Sequence, residues 1–148
     1  MQSVISIRKV SFLFLIASFM VSCRVTLVPE YSAELEDQIT NTAKATDRLY
    51  IDILDAPAND RDYRALQGRY NDIEAEINSI ELKNQGRIKN GDFIEIIKNL
   101  KGAFLEAKNY HKEHKTLSNG EAISYRATLA GFWKPLYLAE RALRINSN

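Results

Sequence analysis

Two places in this 148-residue chain combine residue type and spacing in a way that could do chemistry. His111 and His114 stand three apart with Glu113 between them. Residues at i and i+3 share a helix face, so both imidazoles could turn toward one zinc or copper ion. Such a site needs further ligands from elsewhere, and the neighbouring Lys108, Lys112 and Lys115 oppose a cation. The competing reading packs His111 at the edge of a core and leaves His114 near a helix end, where a protonated imidazole suits the dipole. The second place is Cys23, the sole thiol, directly after Ser22 at the end of an apolar run.

Other chemistries lack their residues. A c-type haem needs Cys-x-x-Cys-His, which one Cys cannot supply. Di-iron bundles need paired Glu-x-x-His, but the residues three before His111 and His114 are Lys108 and His111. No glycine-rich phosphate loop occurs, and Ser118 has no His and Asp partner pattern. The acidic pairs Glu34 and Glu36, and Glu74 and Glu76, read as solvated helix faces. No catalytic residue, cofactor or metal ligand set is therefore expected, and the chain is read as a non-enzyme.

Residues 1 to 23 fall into three zones: a basic patch of Arg8 and Lys9, an apolar run from Val10 to Val21, then Ser22 and Cys23. That is the layout of a secretory signal. The run is about 12 residues, whereas a spanning helix needs roughly 20, so cleavage is expected and a permanent span is not. Met20-Val21-Ser22-Cys23 resembles the lipobox of bacterial lipoproteins, with Met where Leu is usual. The resemblance implies that the Cys23 thiol takes a diacylglycerol through a thioether and that cleavage falls just before it; a plain secretory signal with an incidental Cys is the alternative. Multiple acyl chains would anchor the protein stably, each buried methylene contributing about 0.8 kcal/mol. Both Met residues, Met1 and Met20, leave with the signal, which removes Met/His haem ligation. Arg24 stands where enterobacterial inner-membrane lipoproteins usually carry Asp, and no acidic cluster follows. The implied location is the outer membrane, facing the periplasm.

Net charge is +1, and becomes −1 once Arg8 and Lys9 are removed, leaving 18 Lys and Arg against 19 Asp and Glu. Nothing in that balance invites nucleic acid. Three Pro and six Gly are too few for a strand-and-turn or linker-rich protein.

The elements that must position these residues are helical. After an extended tether with Pro29, Ser32 reads as an N-cap, followed by Leu35, Ile39, Ala43, Thr46, Leu49, Tyr50 and Ile53 at helical steps, until Pro57 interrupts. Tyr63, Leu66, Tyr70, Ile73, Ile77 and Ile80 step by three and four, a seam along one face of a second helix. The next seam position, Asn84, is expected to fray before Gly86, the alternative being a polar group that sets the register. Asp92 and Glu95 look like a capping box for a third helix with the stripe Phe93, Ile96, Ile97, Leu100, Phe104, Ala107, Tyr110 and His111. Ser118 and Glu121 are a second capping box, with Leu117 and Ala122 as its staple, and the fourth helix carries Leu129, Trp133, Leu136 and Leu143. Pro135 lies inside that helix and is expected to kink it without breaking it. Four such helices bury their stripes only against one another, so the expected fold is an antiparallel four-helix bundle. The organisation is a cleaved signal over 1–22, the lipidated Cys23 and tether over 23–31, and the bundle over 32–148.

Most of the seven Tyr, Trp133 and the three Phe beyond the signal fit core stripes. Trp133 and Tyr137, four apart beside Pro135, are the exception and form a possible binding surface. From Leu27 to Leu143, the order of tether Leu-Val-Pro-Glu-Tyr, helix, Tyr-rich helix, Tyr110-His111 and the Phe132-to-Leu143 helix resembles a family of small bacterial lipoproteins. The resemblance implies a lipid-anchored helical domain and transfers no active-site residue. The expected function is an envelope lipoprotein that binds a protein or envelope component. The alternatives are a metal- or haem-binding module on His111 and His114, and a carrier of a small apolar ligand in a gap near Pro135.

Overall fold

The computed structural model describes residues 29–146, and these form four α-helices and one short 3₁₀ turn. The signal segment and Cys23 lie outside the described residues. Helix α1 spans Ala33–Asp55. Ser32 caps it, its Oγ accepting from the Leu35 amide at 3.2 Å, and Glu34 and Glu36 occupy the first turn, where the dipole favours carboxylates. It stops where expected, because Ala56 before Pro57 takes an extended conformation (φ −72°, ψ 144°). Ala58–Asp60 form the 3₁₀ turn.

Helix α2 spans Tyr63–Gln85, capped by Asp62. The seam read from its spacing is the buried face: Tyr63, Tyr70, Ile73, Ile77 and Ile80 are all buried, and Leu66 packs against them half-buried. Helix α3, Gly91–His114, begins one residue before Asp92, with Asn90 at the N-cap position. The Asp92 and Glu95 box does not form because the chain has already entered the helix. Asn90 makes no cap either, since its Nδ2 donates inward to Asn84 Oδ1 at 2.7 Å. Helix α4 spans Asn119–Asn146 and runs on through Pro135. Its capping box does form, with the Glu121 amide on Ser118 Oγ at 3.3 Å and the Ser118 amide on Glu121 Oε2 at 2.8 Å. Leu117 and Ala122 are buried beside it, as a staple requires.

Each helix packs against two neighbours, α1 on α2 and α4, α3 on α2 and α4, and the diagonal pairs do not approach. Contacts at the two ends fix the direction. The start of α2 meets the end of α3 through the Tyr63 amide and the Lys115 carbonyl at 2.8 Å. At the other end the Ser32 amide donates to Glu140 Oε1 at 2.8 Å, joining the start of α1 to the end of α4. This is the antiparallel four-helix bundle. Tyr50, Tyr70, Phe104, Ile39, Ile77, Ile80, Ile97 and Leu100 fill its centre.

Candidate functional site

The histidine pair is separated by its surroundings. His111 is fully buried, and its Nε2 lies 2.8 Å from the Arg61 carbonyl. A carbonyl only accepts, so Nε2 carries the proton and Nδ1 must accept; the Tyr70 hydroxyl, 3.0 Å away, donates to it. Burial pushes the His111 pKa below its ordinary value, with the Arg61 carbonyl and Asp62 opposing that shift. Tyr63 and Tyr70 flank the imidazole edge-on, with centroids 5.7 Å away. His114 is exposed, stacks on Tyr110 at 4.0 Å and lies with Nδ1 2.9 Å from the Tyr110 carbonyl. His111 therefore has no lone pair free for a metal, and no trio of His, Cys, Asp or Glu able to hold one occurs among the described residues.

Two further polar groups are buried at the bundle ends. Arg61, 6 % exposed, closes the end away from the tether, donating to the Ala56 carbonyl at 2.9 Å, the Leu54 carbonyl at 3.2 Å and Asn119 Oδ1 at 2.5 Å. These capture backbone carbonyls that the end of α1 leaves unpaired. At the tether end, the Glu140 carboxylate is fully buried and pairs with Arg87 at 2.6 Å. Arg87 also donates to Asn84 Oδ1 at 3.0 Å and to the Glu30 carbonyl, and lies over the Phe93 ring at 5.7 Å. Asn84 does not fray: it is fully buried and linked to Ile80, Arg87 and Asn90. Its place on the α2 seam is a polar junction that sets where α3 begins.

The remaining place is a mainly apolar groove of about 250 Å³ between α1 and α4. Ala43, Tyr50, Leu129, Ala130 and Trp133 line it. Small side chains at 43 and 130 leave the space that larger ones would fill. Asp47 and Arg126 close one side with a forked ion pair, Nε to Oδ1 at 2.6 Å and Nη2 to Oδ2 at 3.2 Å. Thr46 also faces the groove but commits its hydroxyl to the Thr42 carbonyl at 2.8 Å.

Among the described residues, two buried side-chain polar atoms have no hydrogen-bond partner, Tyr50 Oη and Trp133 Nε1, and both belong to residues lining this groove. Burial raises the Tyr50 pKa far above the ordinary phenol range, and the neighbouring Tyr70 hydroxyl reinforces the shift. Buried donors are nearly always paired in native proteins, with protein, water or ligand. Tyr50 Oη has the Tyr70 hydroxyl beside it, whereas Trp133 Nε1 is a buried donor for which the chain supplies no acceptor.

Of the two aromatic residues singled out beside Pro135, Trp133 is 5 % exposed and lines the groove, whereas Tyr137 is half-buried outside it, its hydroxyl accepting from Arg141 at 2.8 Å. Tyr137 is not among the residues that line the groove. Tyr50, Asp47 and Arg126 belong with Trp133 instead, and nothing in their local spacing marks them, because Tyr50 reads as a core residue and the ion pair spans 79 positions. Cys23 lies outside the described residues, and among those described no helix is long and apolar enough to cross a membrane. No family model, curated protein or solved structure matches the chain.

Proposed function

We propose that this protein is a lipid-anchored lipoprotein of the bacterial envelope whose bundle is a non-enzymatic binding domain, and that the groove between α1 and α4 is where it binds. The observation that carries the binding site is the unpartnered, buried Trp133 Nε1 on a residue that lines this groove. The anchor rests on the apolar run and the Met20-Val21-Ser22-Cys23 sequence. A mainly apolar space of about 250 Å³ is smaller than the pockets that enclose drug-sized ligands, roughly 300–1,000 Å³. It suits a short apolar group ending in a hydrogen-bond acceptor, a carbonyl or carboxylate, that satisfies the orphaned indole. A non-enzymatic role fits the surroundings, since His111 has both nitrogens engaged and Glu140 is neutralised by Arg87.

The test is native mass spectrometry of the protein extracted gently from envelopes, beside the Ala130→Phe variant. Ala130 is exposed and lines the groove, so the added ring fills it without entering the core. The wild type should carry a non-covalent mass that the variant lacks. Identical unliganded spectra for the two would contradict the reading.

A further inference from the structure

Resting on the anchoring reading above, we propose that the end of the bundle from which the tether departs is a membrane-contact face, with Ile88 and Ile145 inserted among lipid headgroups. Pro29 and Glu30 lie at this end, where Arg87 holds the Glu30 carbonyl and Glu140 holds the Ser32 amide. Six residue steps separate Cys23 from Pro29, a reach of about 20 Å at full extension. An acylated Cys23 therefore keeps this end, and not the Arg61 end, within about 20 Å of the bilayer.

The aliphatic exposure has the same polarity. Of the five large hydrophobic side chains exposed among the described residues, Ile88 and Ile145 are the most exposed at 76 %, followed by Leu82 at 69 %. Ile88 lies in the connection between α2 and α3, and Ile145 and Leu82 lie in the last turns of α4 and α2. All three belong to the tether end. Ile145 is five residues beyond Glu140, so its backbone lies about 7.5 Å past that of Glu140 along the helix at 1.5 Å per residue. A large aliphatic held so far into solvent finds its ordinary environment at an interface.

The charges here argue for headgroup contact without a demand for anionic lipid. Lys83 pairs with Glu34 at 2.6 Å, Arg87 with Glu140 at 2.6 Å and Arg144 with Glu36 at 4.0 Å, so much of the positive charge is already matched. Apolar insertion, and not counter-ion attraction, carries the contact. It should vary little between zwitterionic and anionic bilayers.

The acylated thiol of Cys23 cannot be alkylated, so a single introduced Cys is the only labelling site. The mature lipidated protein carrying Ile88→Cys, Ile145→Cys or Ile123→Cys, each labelled with an environment-sensitive fluorophore, is placed in phosphatidylcholine vesicles containing brominated lipid. Ile123 serves as the control because it is 56 % exposed near the start of α4, at the opposite end. Quenching should be several-fold stronger at 88 and 145 than at 123, and similar when part of the lipid is phosphatidylglycerol. Equal quenching at the three positions in vesicles that carry the protein on flotation would overturn the contact face alone. Failure of the protein to float with the vesicles would overturn the anchor, and this inference with it.

Discussion

The Tyr70 hydroxyl donates to His111 Nδ1 across the interface of α2 and α3, and this bond fixes the imidazole as the neutral Nε2–H tautomer aimed at the Arg61 carbonyl. One buried ring thereby ties two helices to the connection that follows α1. Its protonation would turn an acceptor into a second donor facing a hydroxyl.

Stability should accordingly depend on pH through His111. Burial lowers its pKa in the folded chain, whereas the unfolded chain takes the proton near the ordinary 6.5. Between those two values the unfolded state binds more protons, so stability is full above about 6.5 and is lost as pH falls below it. Urea midpoints should decline from neutral pH down to about 5, above the ordinary carboxylate range. His111→Gln should be less stable at neutral pH and show a flatter decline. The same slope in both proteins would count against the assignment.

The α2 seam gives the sharpest stability contrast. Ile77 is 1 % exposed and Ile73 is 3 % exposed, so truncating either to Ala should cost about 2 to 5 kcal/mol by loss of buried methylenes and a residual cavity. Glu76→Ala and Ser79→Ala each remove a partner of Gln38 at the margin of the α1–α2 contact and should cost no more than about 0.5 kcal/mol. Denaturant midpoints for the four variants check this. A loss at Ser79 matching that at Ile77, with Ile73 silent, would be the pattern of a strand.

Arg87 and Glu140 form the buried pair that closes the tether end. Arg87→Met leaves the fully buried carboxylate uncompensated and should cost about 3 to 5 kcal/mol. Adding Glu140→Gln removes the stranded charge and keeps an acceptor for the Ser32 amide, so the double variant should recover most of that loss. Additive losses in the double-mutant cycle would show that the two side chains do not act as a pair.

The features legible in the sequence are those fixed by neighbours within one or two turns. The three-and-four spacing from Tyr63 to Ile80 is a property of one helix surface, and the Ser118 and Glu121 box closes within a single turn, so both could be read before any packing was known. Pro57 ended α1 for an equally local reason. Arg61 and Glu140 could not be placed that way, because Asn119, the Ser32 amide and Arg87, which engage them, are brought in by the fold from distant segments. Asn84 is held by Ile80, Arg87 and Asn90 nearby, but a polar residue at the end of a stripe also reads as a fraying turn. Asn90 shows the cost of ignoring such partners: its side chain is drawn to Asn84, and the helix start predicted from Asp92 shifts with it.

The candidate site was half legible. Trp133 drew notice through its type and its proximity to Pro135, but its setting depends on Ala43 and Tyr50 from α1, which no spacing rule joins to it. Tyr137 shared the local signal and not the groove. Arg126 and Asp47 are ordinary surface types in sequence and become the rim only when α1 and α4 pack.

Labelling with radioactive palmitate tests the anchored reading most directly, because Cys23 is the only thiol in the chain. The wild type should incorporate label and run as the shorter processed form, while Cys23→Ser should incorporate none and persist as unprocessed precursor. Label in Cys23→Ser, or its absence from the wild type, would contradict the account.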